Sequence, residues 1–185
     1  MPFLTLVKNI HFVFAKICKK QIKMELSNLG IFHTVIGIIA IIAALTSYTR
    51  NGKINLASRS GNMYFFGTVV TSVTALGLSK HGGFNPGHVL ALLVLALVIG
   101  AFVLHRRKKG NNKARYFENF FLSFSLFLSM IPTVNETLTR IPLSAPLATG
   151  PSDPLVGKTL LVILVLFIAG SIHQYVQQKK INKSA

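Results

Sequence analysis

The sequence predicts an all-α, polytopic transmembrane helical bundle with about five helices. Three observations carry that expectation. Five apolar stretches run near residues 29–48, 63–79, 89–104, 117–134 and 157–176; nearly all charge lies between them; and 51% of the chain is hydrophobic while 13% is charged. Soluble domains carry about 25% charged residues, so this share is roughly half the ordinary one. A closed barrel would need alternating strands of about ten residues. The run VLALLVLALVIGAFVL over 89–104 is instead apolar on every side, as a helix surrounded by lipid should be.

The first and fifth stretches have the roughly 20 residues needed to cross a hydrocarbon core of about 30 Å. The other three are shorter, a difference that tilt or neighbours absorb. In the second, Gly67, Thr71 and Ala75 fall at i, i+4 and i+8, with Thr68, Ser72 and Gly77 beside them. Ala96 and Gly100 repeat the spacing in the third, and Gly37, Ala40 and Ala44 do so less regularly in the first. Small residues in this pattern let helices approach closely. The same face also suits a polar path, with Ser125 and Ser129 of the fourth helix opposite. Pro132 is followed by Asn135 and Glu136, where the fourth helix is expected to end. Residues 135–156, with Pro142, Pro146, Pro151 and Pro154, then read as an extended loop that caps the bundle.

Loop charges orient the bundle, because Lys and Arg accumulate on the cytoplasmic side. Arg50, Lys53, Arg59, Arg106, Arg107, Lys108, Lys109, Lys113, Arg115, Lys179, Lys180 and Lys183 share one side; Lys80, Arg140 and Lys158 share the other. This places the start of the first helix outside and the carboxyl terminus in the cytoplasm. Residues 1–23 conflict with that order, since Lys8, Lys16, Lys19, Lys20 and Lys23 would lie outside. Three readings compete. The segment is a basic amphipathic helix lying in the headgroups, with Leu6, Val7, Ile10, Val13, Phe14 and Ile17 inward; it is a cleaved signal peptide; or synthesis begins at Met24. The third is preferred, leaving 24–185 as a single transmembrane domain.

The formal net charge of +16 would suggest nucleic acid in a soluble protein. Here the basic residues flank apolar spans, where anionic lipid headgroups are their expected partners and nucleic acid is not. Cys18 is the lone cysteine, so no intrachain disulfide and no Cys-based metal site arise.

Histidines form the one constellation able to carry chemistry. His33, His81 and His88 fall at the outer boundary, and His105 and His173 at the inner one. Ionisable groups at such positions are functional candidates because their charged form is costly there. Two b-type haems, held by His33 with His88 and by His105 with His173, would need facing axial imidazoles. His88 and His105 lie roughly 25 Å and about 100° apart on an ideal helix, so both would sit at the membrane edge. A metal site from His33, His81 and His88, with Glu136 or Asp153, is a second option. Interfacial and capping roles are the plainer reading, and no cofactor is required.

The turn over 81–88 is not a phosphate loop, for no Gly-Lys-Ser/Thr ends it. With four carboxylates in the chain, neither paired acids nor a Ser/His/Asp arrangement can be assembled, and an enzyme is not expected.

Arg59, Ser60, Gly61, Asn62, Met63 and Tyr64, followed by small and hydroxylated residues, resemble the domain of unknown function 2306 family of bacterial membrane proteins. The likeness covers roughly residues 33–142. Members read H-R-x-x-G-x-x-Y into this helix, then a Gly-rich turn, an apolar helix, a basic loop with a second H-R pair and an aromatic-rich helix. Gly61, Tyr64, the turn at 82–87, the basic run 106–115 and the aromatic run 116–121 follow that order, while Ala57 and Ser58, and Lys113 and Ala114, replace the two H-R pairs. The resemblance implies a bacterial inner-membrane location and no mechanism. The expectation is therefore a multi-pass inner-membrane protein of undefined biochemistry. Its alternatives are a haem electron carrier, a small-molecule or ion transporter, and a structural subunit whose small-residue seams bind a second copy or another membrane protein.

Overall fold

The computed structural model describes residues 28–78, 83–107, 111–141 and 145–184. The segment 1–23, its alternative readings and His81 lie outside these. Five helices follow one another: α1 Asn28–Asn51, α2 Arg59–Ala75, α3 Pro86–Arg107, α4 Asn112–Arg140 and α5 Pro154–Ser184. No strand occurs among the described residues. α1, α3, α4 and α5 are long and apolar enough to cross a membrane. Their outward faces carry Ile38, Ile42, Leu92, Ile99, Leu161 and Leu166, all 43% or more exposed. In water these faces would be a large hydrophobic liability; in lipid they are matched to their surroundings. The architecture is that of a membrane protein.

Each start after α1 is fixed by a capping side chain. Ser58 Oγ accepts the Gly61 N–H at 3.1 Å to open α2. Asn111 Oδ1 accepts the Ala114 N–H at 3.1 Å to open α4. Asp153 Oδ1 accepts the Leu155 N–H at 2.9 Å to open α5, with Pro154 in the first helical position, where its missing N–H costs nothing. Backbone N–H groups of Thr149 and Leu155 hold the Asp153 carboxyl below its ordinary range.

These caps correct the expected boundaries. α2 begins at Arg59 rather than 63, because Ser58 caps it there, and it ends at Ala75 rather than 79, with Leu76 as its C-cap. α4 does not stop after Pro132. It continues to Arg140, so Asn135 and Glu136 are helical, and Glu136 pairs with Arg140 Nε at 2.5 Å. A proline removes one backbone donor from the helix interior. Around it, Ser129 Oγ donates to the Ser125 carbonyl and Thr133 Oγ1 to that of Ser129, both at 2.8 Å. The cap over this end is shorter than expected. The Ala148 N–H donates to the Leu138 carbonyl at 2.9 Å, and Ala148 is buried with Val134 and Val156.

α1 and α2 run antiparallel along their whole contact. His33 meets Thr74 at one end, Ala40 faces Gly67 in the middle, and Ser47 Oγ accepts the Asn55 N–H at 2.9 Å at the other. α2 therefore retraces α1 despite its 17 residues. The α1–α2 turn, the α3–α4 turn and the end of α5 gather at one end of the bundle, which is the basic one. The seam uses the expected small residues: a Cβ on Gly67 would lie 2.9 Å from Ala40 Cβ, and one on Gly37 would meet Thr71 Cγ2 at 3.6 Å. Ala75 is half-buried, while Ala96 is exposed and faces away from the seam. The inward face of α3 instead runs through Ala91, Val94, Val98 and Ala101, with Gly100 against the Phe121 ring.

Among the described glycines Gly61 is the most constrained, since a Cβ there would overlap the Asn55 carbonyl oxygen. That contact closes the α1–α2 turn. Overpacking of this kind costs about 1–3 kcal/mol, so Gly61→Ala should lower the midpoint of thermal unfolding in detergent by several degrees. Gly170, with open space around its Cβ position, should accept alanine without loss. Equal midpoints for the two variants would refute the assignment.

Candidate functional site

The polar side chains of the bundle converge on the half of α4 nearest the basic end. Tyr48 of α1 donates its hydroxyl proton to Ser123 Oγ at 2.5 Å and accepts from Gln174 Nε2 of α5 at 2.7 Å. Ser123 Oγ lies 3.1 Å from Gln174 Oε1 and 2.8 Å from the Asn119 carbonyl, and its one proton serves either. When it goes to Gln174, the three side chains close a ring in which each donates once and accepts once. Such chains strengthen one another in a low dielectric.

A turn further toward the basic end, Asn119 Nδ2 donates to Gln178 Oε1 at 3.4 Å, and Gln178 Nε2 donates to Asn182 Oδ1 at 2.8 Å. The residue pairs Asn119–Ser123 and Gln174–Gln178 each stand four apart, so each pair occupies one stripe of its helix. On another face of α4, Tyr64 of α2 shares a hydrogen bond of 2.7 Å with Ser125, both fully buried. Glu118 Oε1 lies 2.8 Å from His105 Nδ1 of α3. Lys53 in the α1–α2 turn is close enough to feel Glu118. Burial lowers its ammonium pKa, with Glu118 opposing and Arg115 adding to the shift.

Beside this network a cavity of about 200 Å³ opens between α4 and α5. Tyr116, Phe117, Phe120 and Tyr175 supply apolar walls, and Asn119, Ser171 and Gln174 the polar points. Two of those points lack a partner: Asn119 Oδ1 and Ser171 Oγ are buried and unpaired. Asn119 is only 5% exposed. Its Nδ2 donates to Gln178, whose own Nε2 donates to Asn182, so turning the Asn119 amide would exchange an unpaired oxygen for an unpaired nitrogen. A buried acceptor left without a donor costs about 1–3 kcal/mol. A ligand donor at this point would recover that free energy.

The histidines take separate places. His33 Nδ1 meets Thr74 Oγ1 at 3.0 Å. His88 closes a cap: the Asn85 N–H donates to its Nδ1 at 3.2 Å, while Asn85 Oδ1 accepts the Gly87 and His88 N–H groups at 2.8 and 3.2 Å. This is a capping box with imidazole where glutamate usually stands. His88 Nε2 is buried and unpaired. His105 turns to Glu118, whereas His173 is exposed on α5. His33, His88 and His105 thus each make a separate contact. Among the described residues no three His, Cys, Asp or Glu side chains form a metal-holding group.

Tyr48, Glu118, Asn119, Gln174 and Gln178 were not singled out by the sequence reading. Two signals point to them: a carboxylate inside an apolar span, and amide or hydroxyl residues repeating at i, i+4. No protein-family model, curated protein or solved structure matches the chain.

Tyr48→Phe should leave the Gln174 amide and the Ser123 hydroxyl one partner short. Interhelical hydrogen bonds in membranes contribute about 0.6–2 kcal/mol, and a loss of that size is expected in detergent unfolding. In a double-mutant cycle with Gln174→Leu the two losses should not add. Strict additivity would show that the ring does not act as a unit.

Proposed function

We propose that this chain is a multi-pass protein of a bacterial inner membrane, its basic end in the cytoplasm, that binds a small amphiphilic molecule between α4 and α5 and carries it. The observations behind this reading are the aromatic-walled cavity that Asn119 lines and the buried, unpaired oxygen of that same side chain. An apolar pocket with a few placed polar groups is the usual form of a small-molecule site. Here the walls suit a flat or branched apolar body, and the Asn119 oxygen suits one O–H or N–H donor on it. The position supports loading from one side: the cavity lies at the basic end rather than across the bundle. Within the transporter reading, this moves the binding site from the small-residue face of α2 to α4 and α5. Ser125 and Ser129 instead bond the Leu122 and Ser125 carbonyls of their own helix.

Native mass spectrometry of protein extracted in mild detergent tests the site. The wild-type chain should carry a bound species that dissociates on activation, and Asn119→Leu should lose it while its unfolding midpoint falls no further than that of Tyr48→Phe. The same adduct on both chains, or on neither, would overturn the reading.

Orientation has its own measurement. In a Cys18→Ser background, Lys183→Cys should react with an impermeant maleimide in inverted vesicles and remain unlabelled in intact spheroplasts. The opposite pattern would reverse the bundle.

A further inference from the structure

A second concave surface lies on the other flank of the molecule, between α1 and α2. Ile36 and Ile39 of α1 face Met63, Phe66 and Val70 of α2, with Gly67 forming the floor. Its free volume is about 590 Å³, and it is open along its length. The indentation exists because Gly67 has no side chain and sits against Ala40. At the basic end the groove finishes in Arg59 and Asn62.

We propose that this groove seats one anionic phospholipid from the leaflet beside the basic loops, with its phosphate at Arg59 and Asn62 and one acyl chain along Met63, Gly67 and Val70. Length supports this occupant. From Arg59 to Val70 the helix rises about 16 Å, roughly half a hydrocarbon core of about 30 Å. That is the depth of a single leaflet.

Charge supports it too. Three carboxylates lie among the described residues, and each is already engaged. Glu118 faces His105, Glu136 pairs with Arg140, and Asp153 caps α5. Arg59 therefore has no acidic partner among the described residues, and it stands exposed at the first position of α2. A guanidinium there matches a phosphate in geometry and charge. A second copy of this chain suits the groove less well. It would bring one strongly basic end against another, and like charges at an interface disfavour pairing.

The test uses the full chain in detergent, with dioleoyl phosphatidylglycerol and dioleoyl phosphatidylcholine added in equal amounts and bound lipid counted by native mass spectrometry. The wild type should retain one phosphatidylglycerol in at least fivefold preference. Arg59→Gln should lose that preference. Met63→Trp, placed at an exposed position to fill the groove, should lose the bound lipid altogether. Arg107→Gln, at the same end on α3, should behave as wild type, and glycerol phosphate without acyl chains should not compete. Unfolding midpoints report whether the variants remain folded. Unchanged preference in Arg59→Gln would overturn the proposal, as would an equal loss in Arg107→Gln or competition by glycerol phosphate. A wild-type dimer that Met63→Trp dissociates would assign the groove to a second copy instead.

Discussion

Two turns of α4, from Glu118 to Ser125, hold a polar contact to every other helix. Tyr48 brings α1 to Ser123, Tyr64 brings α2 to Ser125, His105 brings α3 to Glu118, and Gln174 and Gln178 bring α5 to Ser123 and Asn119. In lipid no solvent stands ready to replace a broken hydrogen bond, and apolar surface gives helices little reason to choose one neighbour over another. Polar side chains supply that choice. A helix with Leu, Ile and Val on all sides could rotate freely against α4; one with a single Tyr or Gln at the right height cannot. Rotation and height are fixed together by one contact per helix.

Around that centre the packing differs from seam to seam. α1 and α2 approach until Gly67 meets Ala40, so their backbones leave little room for a ligand between them and a groove on the outside. α4 and α5 are held apart by aromatic rings, with Phe167 against Phe120, Phe124 and Phe127 at centroid distances of 5.2–6.1 Å. At the far end Ala148 and Val156 close the pair again. The cavity forms between the last of these rings and the Gln178 contact, where α5 is fastened by amides and leaves a gap that no side chain fills. Bulky spacers and polar fasteners on the same seam thus account for both the opening and its unpaired oxygen.

The helices themselves were legible because apolar runs of this length have one solution in a membrane, and the short connections force neighbours to run antiparallel. Their ends were not, because they depend on single side chains. Ser58 moved the start of α2, and the hydroxyls of Ser129 and Thr133 around Pro132 let α4 continue where proline alone suggested a stop. The site was less legible still. Histidine draws attention by its chemistry, yet His88 closes a local cap and His173 faces outward. The groups that meet are an amide, a hydroxyl and a phenol drawn from three helices, and their residue types say only that they need partners. Which partner each finds is a property of the rotation of α4 against α1 and α5, which no periodicity within one span encodes.

Charge follows the same economy on a larger scale. The chain has 20 basic and four acidic residues, and the acids of the described structure are spent inside it, on an imidazole, an arginine one turn away and a helix start. Little is left to neutralise the end where ten of the described lysines and arginines gather. In the proposed bilayer setting, anionic headgroups at that depth would relieve the mutual repulsion. Positive residues that orient a membrane protein are therefore also its standing lipid-binding surface. On the proposal made above, Arg59 is the place where that general attraction meets a groove with a shape.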